Sequence, residues 1–206
     1  GFIGSALIRY LINVKGISVI NVDSLTYSGN LLSLEEVNDS DLYSFKKIDI
    51  IDSEELRFVF GQEQPDAVMH LAAESSVDRS IEKSSEFIQS NIVGTYSLLE
   101  ETRHYLNQLN GLKREKFRFC HISTDEVFGA LGPNDHMFDE ETKYNPSSPY
   151  SASKASADHL ATAYYKTYNL PILTSNCSNN YGPFQLPEKL IPLMIIKAIR
   201  GDNLPI

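Results

Sequence analysis

Short apolar runs alternate along this chain with longer stretches whose apolar residues recur at helical spacing. Residues 17–22, 67–71, 117–122 and 171–176 read as strands buried on both faces, the pattern of a parallel sheet. Between them, residues 4–14, 53–61, 84–106 and 149–168 read as helices, each long enough for a right-handed crossover. In the third, Ile88, Ile92, Tyr96 and Leu99 keep one helical stripe, as core or as a subunit contact. The predicted architecture is doubly wound α/β, a Rossmann-like parallel sheet. Residues 43–49 read as an edge strand, and 203–206 as the start of another. Residues 129–148, rich in Gly, Pro, Asn and acids, form a long loop of a length that is uncommon unless functional.

Composition narrows the possibilities further. With 206 residues, 42% hydrophobic and 22% charged, the chain has the make-up of an ordinary globular protein. Apolar stretches such as Leu193 to Ile196 fall far short of the roughly 20 residues that span a bilayer, so no membrane helix is expected. A net charge of -9 and a pI near 5.0 oppose general affinity for nucleic acid, which relies on clustered Lys and Arg. Cys120 and Cys177 have neither zinc nor disulfide-scaffold spacing, and the five histidines show no HxxxH pair, so no metal is implied. No signal segment opens the chain, and a reducing, cytoplasmic setting is expected.

The opening Gly1-Phe2-Ile3-Gly4 looks like the second half of a G-x-x-G-x-x-G phosphate turn entering a helix. Alone it is equally a close helix–strand contact. Asp23 gives it weight, since a carboxylate ending the next strand is placed to accept from an adenosine ribose hydroxyl. Ser24 follows with no neighbouring Arg for a 2′-phosphate, which favours NAD over NADP. If the turn is real, the strand that should precede it, with the first glycine, would need about ten more residues upstream. The chain then reads as an internal fragment, poorly stable by itself.

Chemistry concentrates at the carboxyl ends of two strands and on one helix. Thr124, Asp125 and Glu126 follow the run ending at Ser123, on the edge where open α/β sheets bind ligands. Two carboxyls converging on one ligand raise each other's pKa, so one can stay protonated as an acid while the other acts as base. A solvated pair of turn acids is the plain alternative. Leu71-Ala72-Ala73 and Ser75, Ser76, Asp78 and Arg79 end another strand, with small residues that admit a dinucleotide or simply cap the next helix. Tyr150 and Lys154 stand four apart on a helix and can work together. Tyr43 and Lys47 share the spacing, but on a strand they lie about 13 Å apart. With 11 Tyr and 11 Lys, about 0.6 such pairs arise by chance, so the spacing is not specific. A tyrosinate beside an ammonium takes a proton from an alcohol as hydride leaves, and one ammonium at about 4 Å offsets roughly two to three pKa units.

These residues resemble a known family over essentially the whole chain. Gly1-Phe2-Ile3-Gly4-Ser5, Asp23-Ser24-Leu25-Thr26-Tyr27-Ser28-Gly29-Asn30, Leu71-Ala72-Ala73-Glu74-Ser75, Val77-Asp78-Arg79-Ser80 and Ser123-Thr124-Asp125-Glu126-Val127 carry the likeness. So do Tyr150-Ser151-Ala152-Ser153-Lys154, Ser175-Asn176-Cys177-Ser178-Asn179-Asn180-Tyr181-Gly182-Pro183 and Pro187-Glu188-Lys189-Leu190-Ile191-Pro192. The chain is similar to extended short-chain dehydrogenase/reductases, and within them to the dTDP-glucose 4,6-dehydratases. Thr124-Asp125-Glu126 is the most specific element, because related epimerases lack the acid pair. Ser76, Phe128 and Phe184-Gln185-Leu186 depart from the usual pattern, none of them in a proton-transfer role.

The resemblance implies an NAD-dependent hydro-lyase that converts dTDP-glucose to its 4-keto-6-deoxy product, with Thr124, Asp125, Glu126, Tyr150 and Lys154 catalytic. It implies that Phe2, Ile3, Gly4, Asp23, Ser24, Leu25, Thr26, Asp49, Ile50, Leu71, Ala72, Ala73, Ser75, Tyr150, Lys154 and Asn180 hold NAD. Ser75, Thr124, Asn179, Glu188 and Lys189 would face the nucleotide sugar. Residues 1–178 would form the NAD-binding domain and 179–206 the beginning of a smaller sugar-nucleotide part. A homodimer through helices 84–106 and 149–168 is implied as well. An epimerase or decarboxylase of the same superfamily, and a non-catalytic NAD sensor, are the alternatives.

Overall fold

The computed structural model describes residues 1–204. They form two compact units, residues 1–46 with 179–204 and residues 47–178. The boundary expected after 178 is one edge of this division, and residues 1–46 group with the C-terminal segment. Of the strand start expected at 203–206, residues 205 and 206 lie outside the described residues, and Asn203 and Leu204 have no regular structure.

In the first unit, α1 (Phe2–Asn13) leads to β1 (Val19–Val22), a 3-10 turn (Leu31–Val37) and β2 (Tyr43–Lys46). β1 and β2 pair in parallel from Val19↔Tyr43 to Val22↔Lys46. Ile8 and Ile12, four apart on α1, pack with Leu34 and Val37 of the 3-10 turn against Val19, Leu42 and Tyr43. Asn30 starts that turn by accepting from the Leu32 amide at 3.0 Å. Near the end of the chain, α8 (Leu190–Arg200) exposes Leu190, Ile191, Ile195 and Ile199.

The second unit is built on a three-stranded parallel sheet in the order β3-β4-β5, with β3 Ala67–His70, β4 Arg118–Thr124 and β5 Ile172–Cys177. β4 lies between its neighbours, with His70↔His121 on one side and Thr124↔Cys177 on the other. Parallel neighbours require crossovers. α3 (Val77–Glu82), α4 (Ser84–Phe87) and α5 (Gly94–Gln108) provide the first, with the short α6 (Gly111–Lys116) leading into β4. α7 (Pro149–Tyr168) is the second, and α2 (Ser53–Glu63) packs on α5.

Local chemistry explains the ends of these helices. Asp52 accepts from the Glu55 amide at 3.1 Å to start α2, and Glu54 and Glu55 complement the dipole of its first turn. Ser148 and Ser151 form a reciprocal capping box ahead of α7, with Pro149 at its first position. The single helix expected over 84–106 is interrupted by a π-helical segment, Ile88–Val93. Only part of the expectation that the strands are buried on both faces holds. β4 buries Phe119, His121 and Ser123, whereas β3 exposes Met69 and β5 exposes Leu173.

The core beneath the sheet holds Phe117, Leu99 and Leu170, all fully buried. Phe117 meets Tyr105 edge-on with centroids 5.9 Å apart, and Tyr105 meets Phe60 of α2 at 5.2 Å. Phe117→Ala opens a cavity between α2, α5 and β4. It is expected to lower the stability of the full-length protein by about 3–5 kcal/mol, read as a reduced urea midpoint with an unchanged slope.

Candidate active site

β4 ends at Thr124, and the chain turns at once into a 3-10 segment, Asp125–Phe128. The Thr124 hydroxyl caps that turn, accepting from the Glu126 amide at 3.3 Å. Asp125 and Glu126 are thereby presented half-buried at the carboxyl end of the central strand. The Ser148–Ser151 box starts α7 so that Tyr150 lies in its first turn, with Lys154 one turn later. Both are nearly sealed from solvent, at 8% and 4% exposure. The Tyr150 ring meets Phe87 edge-on at 6.3 Å, and its phenol hydrogen-bonds the Thr124 side chain.

The five residues expected to carry the chemistry therefore lie in one unit, with Tyr150 in direct contact with the turn that bears the acids. The electrostatics differ from expectation. Burial, then the negative charges of Glu126 and Asp125, push the Tyr150 phenol up to about 12, against the lowering by the Thr124 hydrogen bond. The expected lowering by Lys154 is not realised. The Lys154 ammonium instead donates to the Ile122 carbonyl at 2.7 Å, and its own pKa is pushed down to about 8 by burial, against the raising effect of Asp158.

Other expected site residues of this unit surround the loop after β3. Ala72 and Ser75 are exposed, and Leu71 and Ala73 half-buried. The loop is pinned by Asn91, which lies in the π-helical segment. Its side chain accepts from the Glu74 amide at 2.9 Å, donates to the Glu74 carbonyl at 3.0 Å and reaches Ser153 of α7 at 2.8 Å. Asp49 is exposed and accepts from the Ile51 amide at 3.0 Å. Ile50 is buried against Gly94, where a Cβ would come within 2.7 Å of the Ile50 side chain.

In the first unit, Phe2, Ile3 and Gly4 form the first turn of α1, and Asp23 follows β1. The Asp23 carboxylate accepts from the Leu25 amide at 2.7 Å, which holds Leu25 at a left-handed φ of 55°. Gly29 closes this turn: a Cβ there would lie 2.8 Å from Leu25 Cα. Ser24 is half-buried and Thr26 exposed. A cavity of about 210 Å³ opens nearby, lined by Phe2, Ser28, Asn30, Ser33 and residues 184–187. The Asn180 carbonyl accepts from the Gln185 side chain at 2.9 Å, Asn179 is exposed, and Glu188 and Lys189 pair at 3.8 Å. Among the described residues, no group of three or more His, Cys, Asp or Glu is placed to hold a metal. No described helix is long and apolar enough to cross a membrane.

Sequence reasoning overlooked Asp158 and His121, both buried behind Lys154, and Tyr144, an exposed ring whose hydroxyl reaches Asp158. The signal was available: Tyr150, Lys154 and Asp158 recur at intervals of four on one helix, and His121 and Ser123 share one face of β4.

The fold is of the α/β class with parallel strands, and it carries an acid pair at a strand end beside a tyrosine–lysine helix. The family described as GDP-mannose 4,6 dehydratase matches residues 1–205, and the chain belongs to that family. It is 59% identical over 206 residues to dTDP-glucose 4,6-dehydratase from Neisseria meningitidis serogroup B, covering all of this chain and 58% of the relative. The chain spans about three fifths of the length of the curated relatives it matches. Among solved structures, dTDP-glucose 4,6-dehydratase from Bacillus anthracis in complex with NAD matches with a TM-score of 0.86 and 43% identity, over 100% of this chain and 60% of that one. UDP-glucuronic acid 4-epimerase from Bacillus cereus matches with a TM-score of 0.85 at 26% identity, over 99% and 62%.

The depressed Lys154 pKa is directly measurable. Because folding lowers it, the folded chain binds fewer protons than the unfolded one between about pH 8 and 10.5, and this group's contribution to stability rises with pH across that window. In NMR titrations of the full-length protein, one lysine side chain should titrate near pH 8 and vanish in Lys154→Met. Titration of every lysine above pH 10 would contradict the burial argument.

Proposed function

We propose that the full-length protein is an NAD-dependent hydro-lyase that converts dTDP-glucose to dTDP-4-keto-6-deoxyglucose. The observation that carries this reading is the contact of Tyr150 with the Thr124 turn, which brings a phenol and two carboxyls to one strand end. An epimerase needs the phenol and no acid pair. The 55–59% identity to dTDP-glucose 4,6-dehydratases over the whole chain supports the same reading.

The residues present suit NAD. The Asp23 turn keeps a partly exposed carboxylate at a strand end, the Leu71–Ser75 edge is small-sided, and Tyr150 and Lys154 share one helix face. Phe2 to Gly4, Asp23 to Thr26, Asp49, Ile50, Leu71 to Ala73, Ser75, Lys154 and Asn180 would hold it. When bound, its nicotinamide supplies the reversible hydride acceptor that oxidation at carbon 4 and reduction at carbon 6 require.

The chain's own groups move the protons. The Tyr150 phenolate oxygen takes the proton of the carbon 4 hydroxyl, while the Thr124 hydroxyl donates to the oxygen that becomes the ketone. That ketone acidifies carbon 5. Glu126 then takes the carbon 5 proton, and Asp125 gives its proton to the departing carbon 6 hydroxyl, releasing water. Ser75, Asn179, Glu188 and Lys189 would contact the nucleotide sugar, with residues 179–206 beginning the part that binds it. A homodimer through residues 84–106 and 149–168 belongs to the same proposal, supported by the exposed Ile88, Tyr96, Tyr165 and Tyr168, and so does a cytoplasmic setting.

The test uses the full-length protein with dTDP-glucose. Wild type should form the 4-keto-6-deoxy sugar. Asp125→Ala with Glu126→Ala should still reduce bound NAD in the half-reaction but lose about 10²–10⁴-fold in water elimination. Epimerised dTDP-galactose without keto sugar would point to an epimerase, and tight NAD binding without turnover to a sensor.

A further inference from the structure

Behind the catalytic face of α7 lies a carboxylate to which the chemistry above assigns nothing. Asp158 is 1% exposed. Its Oδ1 accepts from His121 Nε2 at 2.9 Å, and its Oδ2 accepts from the Ser123 hydroxyl at 2.8 Å, the Tyr144 hydroxyl at 3.2 Å and the Asn176 amide at 3.4 Å. All four neighbours donate, the setting of a carboxylate anion rather than of an acid, which would need an acceptor for its own proton. Burial keeps His121 below its ordinary pKa and so neutral, and the tautomer with its proton on Nε2 is the one that pairs with this carboxylate.

The contacts interlock. Asp158 holds the side chains of His121 and Ser123, while Lys154, one helical turn earlier, holds the carbonyl of Ile122 between them. Three consecutive residues of β4 are thus gripped by one anion and one cation of α7, directly before Thr124. We propose that Asp158 is a positioning residue: it fixes the register of α7 on β4, and with it the placing of Tyr150 against Thr124 and the acid turn, and it is the anionic counterpart of the buried Lys154 ammonium. This rests on the reading of Tyr150 and Lys154 as catalytic.

The groups that bear on Lys154 from its surroundings fit this assignment. Asp158 on its own helix and Cys177 on β5 both favour its charged form. His121 on β4 and His70 on β3 feel its charge and are kept neutral by burial. Asp125 and Glu126, on the turn after β4, bear on Tyr150. Asp158 is the carboxylate of the set that acts on Lys154. Removing its charge while keeping its shape makes the ammonium lose its proton at lower pH.

Asp158→Asn in the full-length enzyme tests this through the pH dependence of keto-sugar formation. The alkaline limb should move down by about one pH unit, so that activity relative to wild type falls about tenfold between pH 6 and pH 9. A rate reduced by the same factor at every pH would overturn the charge role. Thermal unfolding supplies a second measure. Lys154→Met combined with Asp158→Asn should unfold at a higher temperature than the summed losses of the single variants allow, or fold again where Asp158→Asn alone does not. Additive losses, or a double variant that stays unfolded, would overturn it too. Wild type that makes no keto sugar would instead defeat the dehydratase reading, and the unfolding cycle would still judge the pairing of Asp158 with Lys154.

Discussion

A buried ammonium must find both acceptors and negative charge, and the second unit is organised around meeting that demand for Lys154. The Ile122 carbonyl is bonded from the helix side, although Ile122 lies in a strand paired on both edges. A strand carbonyl bonded by a helix side chain ties the two layers at one residue. Ridge-and-groove packing alone would let α7 slide by a fraction of a turn at small cost, whereas a charged hydrogen bond in a dry interior would not. The position of Tyr150 relative to Thr124 therefore depends on an electrostatic contact four residues away.

The same dryness sets the character of the site. Burial favours the neutral phenol of Tyr150 and disfavours the ammonium of Lys154, the reverse of what a ready-made tyrosinate–ammonium pair would need. Two anionic side chains at the strand end strengthen the bias on the phenol. The strand end thus holds a neutral phenol beside two carboxyls.

Much of this was legible in the sequence, for identifiable reasons. Strand ends follow from apolar runs meeting turn residues, so the placing of Thr124, Asp125 and Glu126 could be read directly. The bounds of α7 followed from Pro149 and the helical spacing of its polar stripe. The π-helical segment at Ile88–Val93 could not be read, since the bonds Asn91 makes within it reach Glu74 and Ser153, distant in sequence. α3 and the 3-10 turn at Leu31–Val37 were missed because each is short and set by a local cap, Ser76 or Asn30, rather than by periodicity. The Lys154–Tyr150 relation was misjudged since a spacing of four gives proximity but says nothing of which acceptor the ammonium finds.

The segment between β4 and α7 is fastened at several points. Gly129 adopts a φ of 99° against the Asn145 carbonyl, Phe128, Phe138 and Tyr144 form a ring cluster that reaches His159, and the Tyr144 hydroxyl ends on Asp158. Ordering a loop of this length costs on the order of 1–2 kcal/mol per residue. Here that cost falls on folding, before any ligand arrives. The wall beside the acid turn is then set by the fold itself rather than by whatever meets it.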